Sequence, residues 1–406
     1  MGENILIVHG GGPTSVINAS LYGAVKEAKK YKEIEHIYAA KNGTGGLMRE
    51  ELIELENVPD EKLELLLNTP GSAIGTSRDQ IEQAEYDRMI EVLLKKNIKY
   101  VLFNGGNGSM DTCGKLYKNC QARGLDIRVM GIPKTHDNDI AITDHSPGYG
   151  SIARYMAQSV KEVAADVKGL PIHVVVVEAL GRNAGWLTGA AALATGEDCE
   201  GPDMLFLPEI TFDVDAFMKK VAEIHKKKKS VVIAISEGVK VADGRYVCEL
   251  TDNIDYVDAF GHRQLTGTAR FLAEKISKEV GCKTRAIEFN SLQRCASHIV
   301  GRVDITEAYQ VGGAAVKAAF EGETGKMVIL KRVSDDPYLC VTDIYDVHKI
   351  ANVEKKVPRE WINEAGDYVT DEFLDYVRPL IQAELTPMMV DGLPRHLRLE
   401  DIAYKK

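Results

Sequence analysis

Five side chains that can bind phosphate or move a proton lie together in one short stretch, PKTHDND at 133–139. The stretch follows the apolar run 129–132, so it is expected in a loop at the end of a buried strand. In such a loop one of the two carboxylates, Asp137 and Asp139, could accept a proton from a substrate hydroxyl while the other helps to hold a magnesium ion. Lys134 adds a positive charge suited to phosphate. Paired acids also occur in ordinary surface turns, but this crowding of side chains favours a reactive loop.

Two glycine-rich turns indicate a phosphorylated ligand. GGGPTS at 10–15 and NGGNGS at 104–109 each follow an apolar run and precede a helical pattern. Glycine lets the backbone approach an anion, and the N-terminus of the next helix presents free N–H groups. One such turn would equally fit a plain strand-to-helix connection, whereas two favour phosphate binding. Neither turn matches the Walker pattern or the dinucleotide pattern G-x-G-x-x-G.

A further turn, LGRNAGW at 180–186, follows the apolar run 174–177. Arg182 in this turn could stabilise charge on a transferring phosphoryl group. An isolated arginine at a strand end is more often structural, so the turn supports phosphoryl transfer only together with the other loops.

These loops need elements that position them, and the chain predicts an alternation of strands and helices. Continuous apolar runs separated by amphipathic segments are typical of parallel sheets buried on both faces, so the fold class is α/β. The carboxyl ends of such strands carry the ligands. The strands are predicted at 5–8, 100–103, 129–132, 174–177 and 231–235. Helices are predicted around 16–31, 81–96, 109–122, 148–165, 213–228, 267–279 and 304–320.

Length and composition limit the class of protein. The chain has 406 residues, 45% of them hydrophobic and 27% charged, with a net charge of −10. Disordered, collagen-like and disulfide-scaffold classes are excluded. A single core stops growing at about 250–300 residues, so two domains are expected. The acidic balance argues against nucleic-acid and membrane partners.

The cysteines and the hydropathy predict a reduced, cytoplasmic chain. The seven cysteines show no C-x-x-C spacing, and the N-terminal residues read as a strand, not as an export signal. No apolar run approaches the roughly 20 residues that span a bilayer.

The motifs together resemble the phosphofructokinase superfamily, and are most similar to its bacterial pyrophosphate-dependent branch. The matching elements follow the family's order: GGGPTSVINAS at 10–20, GGNGSMDT at 105–112, PKTHDND at 133–139, SPGYGS at 146–151, LGRNAGW at 180–186, SEG at 236–238, DAFGH at 258–262 and SLQR at 291–294.

The resemblance implies two similar three-layer lobes with mostly parallel sheets and an active site in the cleft between them. The donor-binding lobe would comprise 1–148 with about 293–345. The sugar-phosphate lobe would comprise 149–292 with about 346–406, including a C-terminal extension. Because the family builds its sugar-phosphate pocket from two subunits, a homodimer or homotetramer is expected, with His173 and Arg285 reaching across.

The resemblance also implies roles for individual residues in a magnesium-dependent transfer to the 1-hydroxyl of fructose 6-phosphate. The catalytic residues would be Asp137, Lys134, Arg182 and Thr135. Donor binding would use Gly12, Arg78, Gly106, Asn107, Gly108 and Ser109, and Asn107 and Asp139 would hold Mg²⁺. Sugar-phosphate binding would use Thr135, Asp139, Leu180, Gly181, Arg182, Glu237, Arg285, Ser291, Arg294 and His173.

Departures from the family pattern leave the substrates open. Gly108 replaces the aspartate that excludes ATP in pyrophosphate enzymes, and this favours ATP, whereas Lys134 is associated with pyrophosphate. His173 and Ser291 replace residues that bind the sugar phosphate, so a different sugar phosphate is an alternative acceptor. A kinase of NAD or lipids and a non-catalytic sugar-phosphate sensor are the rival interpretations.

Overall fold

The computed structural model describes residues 2–170, 173–250 and 267–399. The DAFGH element at 258–262 lies outside the described residues. The strands are β1 Glu3–His9, β2 Ile34–Ala40, β3 Leu52–Glu54, β4 Ile98–Gly105, β5 Arg128–Pro133, β6 His173–Ala179, β7 Met204–Phe206, β8 Ser230–Ser236, β9 Thr284–Glu288, β10 Lys326–Asp335, β11 Tyr338–Asp346, β12 Met389–Val390 and β13 Leu393–Pro394.

The α-helices lie between the strands in the alternation that the sequence predicts. They are α1 Ile17–Ala28, α2 Gly43–Met48, α3 Asp60–Leu63, α4 Gln83–Lys95, α5 Asn107–Ala122, α6 Tyr149–Gly169, α7 Trp186–Gly189, α8 Val214–Lys227, α9 Thr268–Val280, α10 Leu292–Cys295, α11 Arg302–Phe320 and α12 Asp371–Val377. Each of the five predicted strands and seven predicted helices overlaps one of these elements, with ends that differ by a few residues, and the α/β class is confirmed.

The chain forms two compact units. Unit 1 comprises Met1–Ser151, Arg294–Glu354 and Ile381–Lys406, and unit 2 comprises Ile152–Gln293 and Lys355–Leu380.

The chain after residue 345 is divided between the units, whereas the sequence-based boundary placed all of 346–406 in the second lobe. Trp361 and Phe373 pack against Trp186 of unit 2 with ring centroids 6.0 and 5.9 Å away. Leu397 and Leu399 instead join the core of unit 1.

Unit 1 is built on a seven-stranded sheet with the order β11-β10-β5-β4-β1-β2-β3. Its inner strands are parallel, and β3 and β11 at the two edges are antiparallel to their neighbours. Ile5 and Ile7 of β1 join one core cluster with residues of α1 and α11, while Leu6 and Val8 join another with residues of α4 and α5. This alternation buries the strand on both faces, as expected for the middle layer of three.

Unit 2 has a four-stranded parallel sheet in the order β7-β8-β6-β9. One face is covered by α8 and α9, whose side chains form a core cluster with Val174, Val176, Val231, Ile233 and Ile235. The central strands β6 and β8 end side by side, so the turns that follow them are neighbours.

Candidate active site

The turn at 10–12, which follows β1, is held by the segment at 76–77. The backbone N–H of Gly11 donates to the carbonyl of Ser77 at 3.0 Å, and the Thr76 hydroxyl donates to the carbonyl of Gly11 at 2.7 Å. These bonds place the next residue, Arg78, beside the glycine turn.

Lys134 is buried beneath the same turn, with 2% of its surface exposed. Its Nζ donates to the carbonyls of Gly10 and Gly12 at 3.0 and 2.6 Å. Burial, and then the nearby Arg78, lower the pKa of the Lys134 ammonium to about 8. The lysine therefore carries a positive charge at neutral pH but loses it under mildly alkaline conditions.

Three further basic side chains converge on Gly12. A side-chain carbon placed on Gly12 would lie 3.4 Å from Nη1 of Arg294, 3.5 Å from Nη2 of Arg78 and 3.8 Å from Cε1 of His136. Arg78, which the resemblance assigns to the donor, and Arg294, which it assigns to the sugar phosphate, thus have their guanidiniums at one turn. Two guanidiniums and an ammonium around bare backbone form a setting suited to an anion.

His136 is part of this arrangement, although the sequence did not identify it as a site residue. Its Nε2 lies 3.2 Å from Oδ1 of Asp137. Burial, and then the charges of Lys134 and Arg294, lower the pKa of the His136 imidazole to about 3, so the ring is neutral at physiological pH. Its place between Thr135 and Asp137 in the reactive run was the available signal.

The loop after β5 holds two carboxylates in different settings. The Thr135 hydroxyl donates to Oδ1 of Asp139 at 3.0 Å and accepts the backbone N–H of Asp137 at 3.1 Å. Burial, and then the charge of Asp137, raise the pKa of Asp139. Asp137 is half-buried and has 30% of its side chain exposed, so it is accessible to a substrate.

Asn107, the first residue of α5, forms hydrogen bonds with Asp139. Asn107 Nδ2 donates to the backbone carbonyl of Asp139 at 3.3 Å and to its Oδ2 at 3.4 Å. The amide oxygen of Asn107 is buried and has no hydrogen-bond partner within the described residues. A carboxylate beside an unsatisfied amide oxygen is a donor set that suits Mg²⁺.

The second glycine-rich turn packs against the first through Ser109. A side-chain carbon on either Gly10 or Gly105 would collide with the Ser109 hydroxyl, so both positions need glycine. Gly106 caps the N-terminus of α5. Gly108 is exposed, and a side-chain carbon there would meet no atom within 4 Å. The space above this turn is therefore open and uncharged.

In unit 2 the structure brings the turn at 180–182 together with Glu237. The backbone N–H of Gly181 donates to Oε1 of Glu237 at 3.4 Å, and the Ser236 hydroxyl donates to the carbonyl of Gly181 at 2.6 Å. A side-chain carbon on Gly238 would collide with the backbone of Arg182. Leu180 lies in the same turn and donates its backbone N–H to Oε1 of Gln293 at 3.0 Å.

Two of the remaining predicted sugar-phosphate residues of unit 2 lie away from the carboxyl ends of its strands. His173 is the first residue of β6, and Arg285 on β9 pairs with Val175 of β6, whereas Gly181 and Glu237 follow the carboxyl ends of β6 and β8. Arg285 and Ser291 are exposed. The turn at 180–182 and Glu237 therefore come together without His173 and Arg285.

Comparison with known proteins identifies the family to which this geometry belongs. A family model described as Phosphofructokinase matches residues 4–319. The chain belongs to the phosphofructokinase family. The match covers the glycine-rich turns, the loop after β5 and the turns after β6 and β8.

Relatives named in the comparisons match most or all of the chain. A pyrophosphate--fructose 6-phosphate 1-phosphotransferase from Halomonas elongata is 38% identical over 98% of this chain and 96% of its own length. A sulfofructose kinase from Alkalicoccus urumqiensis is 32% identical over 81% of this chain and 83% of its own length. The crystal structure of a pyrophosphate-dependent phosphofructokinase from Nitrosospira multiformis, 36% identical, matches with a TM-score of 0.91 over 100% of this chain and 98% of that one.

Proposed function

We propose that the chain is a 6-phosphofructokinase-type phosphotransferase that acts in glycolysis in the cytoplasm. It moves a phosphoryl group from ATP or pyrophosphate to the 1-hydroxyl of fructose 6-phosphate. One observation carries the proposal: Arg78, Arg294 and Lys134 surround the turn at Gly12, next to the loop that bears Asp137. In a chain of the phosphofructokinase family, these three cations would bind the phosphate groups, and Asp137 would act as the general base beside them.

The chemistry assigned to these side chains is an in-line displacement at phosphorus. Asp137 takes the proton of the sugar hydroxyl while the oxygen of that hydroxyl forms the new bond to phosphorus. The bond between this phosphorus and the oxygen of the leaving phosphate breaks at the same time. Lys134 and Arg182 stabilise the charge on the transferring group, and Thr135 holds the loop through its bonds to Asp137 and Asp139.

The phosphoryl donor would be bound by Gly12, Arg78, Gly106, Gly108 and Ser109. Asn107 and Asp139 would hold Mg²⁺, which when bound supplies positive charge to the donor phosphates. The buried, unsatisfied oxygen of Asn107 supports this role.

The open surface at Gly108 leaves room for the larger donor, ATP, because no side chain or charge fills it. Lys134, whose ammonium lies between the carbonyls of Gly10 and Gly12, is the feature that favours pyrophosphate, as the family resemblance implies. Both donors are therefore retained in the proposal, with ATP as the preferred one.

The acceptor side would use Leu180, Gly181, Arg182 and Glu237 for the sugar, with Glu237 accepting hydrogen bonds from its hydroxyls. Arg294 and Arg285 would bind its phosphate, with minor contacts from Ser291 and His173. Because Arg285 is exposed on β9, away from the turn at 180–182, we assign Arg285 and His173 to the site of a second subunit in a homodimer or larger homo-oligomer.

A second acceptor class follows from the replacements at His173 and Ser291. Fewer strong phosphate ligands suit an anion of lower charge, and one relative is named a sulfofructose kinase. A sulfonate carries one negative charge where a phosphate carries nearly two, so sulfofructose is the alternative acceptor to test.

The test measures product formation with Mg²⁺ from fructose 6-phosphate or sulfofructose, each with ATP and with pyrophosphate. The proposal expects fructose 1,6-bisphosphate with at least one donor, and the absence of product with both would contradict it. If product forms from sulfofructose but not from fructose 6-phosphate, sulfofructose is the acceptor.

The matched variants are Asp137→Asn and, as control, Asp343→Asn on the exposed face of β11. Loss of the base should lower kcat by about 10²–10⁴-fold without changing the circular dichroism spectrum. The control should keep wild-type turnover. An Asp137 variant within tenfold of wild type would remove Asp137 from the role of base.

A further inference from the structure

A second cluster of reactive side chains lies in unit 1, outside the proposed catalytic residues. It consists of His145, Glu307 and Cys340, whose nitrogen, oxygen and sulfur donor atoms all lie within 4.8 Å of one another. The side chains of His145 and Glu307 are 1% and 5% exposed, and Nε2 of His145 lies 2.6 Å from Oε2 of Glu307. Cys340 is half-buried and carries a free thiol.

The three residues come from three different elements. His145 lies in the loop between β5 and α6, Glu307 lies on α11 and Cys340 lies on β11. Any ion bound to all three would therefore crosslink a loop, a helix and an edge strand.

Neighbouring groups orient each donor atom. Nδ1 of His145 lies 2.8 Å from Oδ1 of Asp144, and Arg332 in turn donates to that oxygen at 3.1 Å. Because Nδ1 is engaged, Nε2 is the atom directed at the cluster. The other oxygen of Glu307 accepts the Tyr338 hydroxyl at 2.6 Å. In zinc sites, a histidine that binds the metal through one ring nitrogen usually forms a hydrogen bond with a carboxylate through the other.

We propose that His145, Glu307 and Cys340 bind a zinc ion, with a fourth position left for water. Imidazole nitrogen, carboxylate oxygen and thiolate sulfur are the ligands that Zn²⁺ takes, and distances of about 2.0–2.3 Å to the metal require only small shifts of these side chains. Mg²⁺ requires hard oxygen ligands, so the cluster discriminates against the ion proposed for the donor site.

Zinc at this position would stabilise the loop that follows the reactive run. Asn138 accepts the backbone N–H of Ser146 at 3.1 Å, and the Thr143 hydroxyl donates to the carbonyl of His145 at 2.8 Å. A zinc ion bound to His145 would thus fix the segment that connects Asp139 to α6. The ion is structural in this proposal, and its binding does not depend on which reaction the chain catalyses.

The experiment titrates the full-length protein with Co²⁺, a spectroscopic substitute for zinc, in excess Mg²⁺. The wild-type protein should bind one equivalent with a thiolate-to-cobalt absorption band that Zn²⁺ abolishes. The band should be absent in Cys340→Ser and unchanged in Cys199→Ser, a matched control at a half-buried cysteine elsewhere. No band in the wild-type protein, or an equal band in Cys340→Ser, would overturn the proposal.

A second variant covers the case in which Cys340→Ser does not fold. Glu307→Gln keeps the size of the side chain and its acceptor for Tyr338 but removes the carboxylate ligand. It should retain the thiolate band while weakening zinc affinity by at least about tenfold, the usual scale for loss of a ligand or its support. Unchanged zinc affinity in this variant would also overturn the proposal.

Discussion

At Gly108 the choice of donor can be tested without steric damage. A side chain there meets no atom within 4 Å, so Gly108→Asp adds a charge and little else. A carboxylate in that space should repel the α-phosphate of ATP and lower kcat/KM for ATP by about tenfold or more, equivalent to about 1.4 kcal/mol. Activity with pyrophosphate should stay within about threefold.

The control for this prediction is Gly108→Asn, which has the same shape without the charge. It should behave like wild type with both donors. An equal loss with ATP and pyrophosphate in the aspartate variant would show that the position does not select the donor.

Lys134 predicts opposite effects of alkaline pH on activity and on stability. Because its pKa falls from 10.5 to about 8 in the folded protein, kcat/KM should decline as pH rises through about 8 and the cation is lost. Between those values the unfolded chain binds the proton and the folded chain does not, so this group raises the free energy of unfolding as pH increases.

The measurement is kcat/KM from pH 6 to 10, with Lys134→Arg as the comparison. Arginine stays charged throughout this range, so an active arginine variant should lose the alkaline decline. A wild-type profile that is flat to pH 9.5 would show that the charge of Lys134 is not required.

Part of the residue-scale description could be predicted and part could not. Lys134, Asp137 and Asp139 were identified because they share one short run after a strand. The position of Arg294 beside Gly12 could not be derived in this way, since the two residues are 282 positions apart in the sequence. His136 was noted in the same run but given no role, because its contact with Asp137 depends on the shape of the loop.

At the scale of elements, α1 and α11 pack closely because each has glycine at the contact. A side-chain carbon on Gly312 of α11 would collide with the backbone carbonyl of Ser20 on α1. Gly312→Ala should therefore lower the free energy of unfolding by about 1–3 kcal/mol, as overpacked sites do. Urea denaturation would measure the change.

The adjacent glycine on α11 serves as the matched control. A side-chain carbon on Gly313 would lie 3.6 Å from the nearest atom, an ordinary contact. Gly313→Ala should change stability by less than about 1 kcal/mol, and in the stabilising direction, because alanine favours the helix. Similar losses in both variants would contradict the packing argument.

For the whole molecule, the proposal that Arg285 serves a second subunit predicts complementation. Asp137→Asn and Arg285→Ala homo-oligomers should each have low activity. In a hybrid dimer with one copy of each variant, one of the two sites would be intact, so about half of the wild-type activity should return. Purification through two different affinity tags isolates the hybrid.

The control is a hybrid of Asp137→Asn with Asp137→Asn carrying the same two tags, which should remain inactive. Activity of the mixed hybrid no higher than that of the Arg285 homo-oligomer would place Arg285 in the site of its own subunit.

By itself the sequence determined the α/β class, the strands and helices that carry the loops and the family of the chain. These features are local: apolar runs, glycine turns and the PKTHDND run each occupy fewer than about a dozen consecutive residues. Only the tertiary structure placed Arg78 and Arg294 around Gly12, joined His145 to Glu307 and Cys340, and divided the chain after residue 345 between two units. Such contacts depend on how distant segments pack, and local patterns in the sequence do not reveal how far apart those segments lie in space.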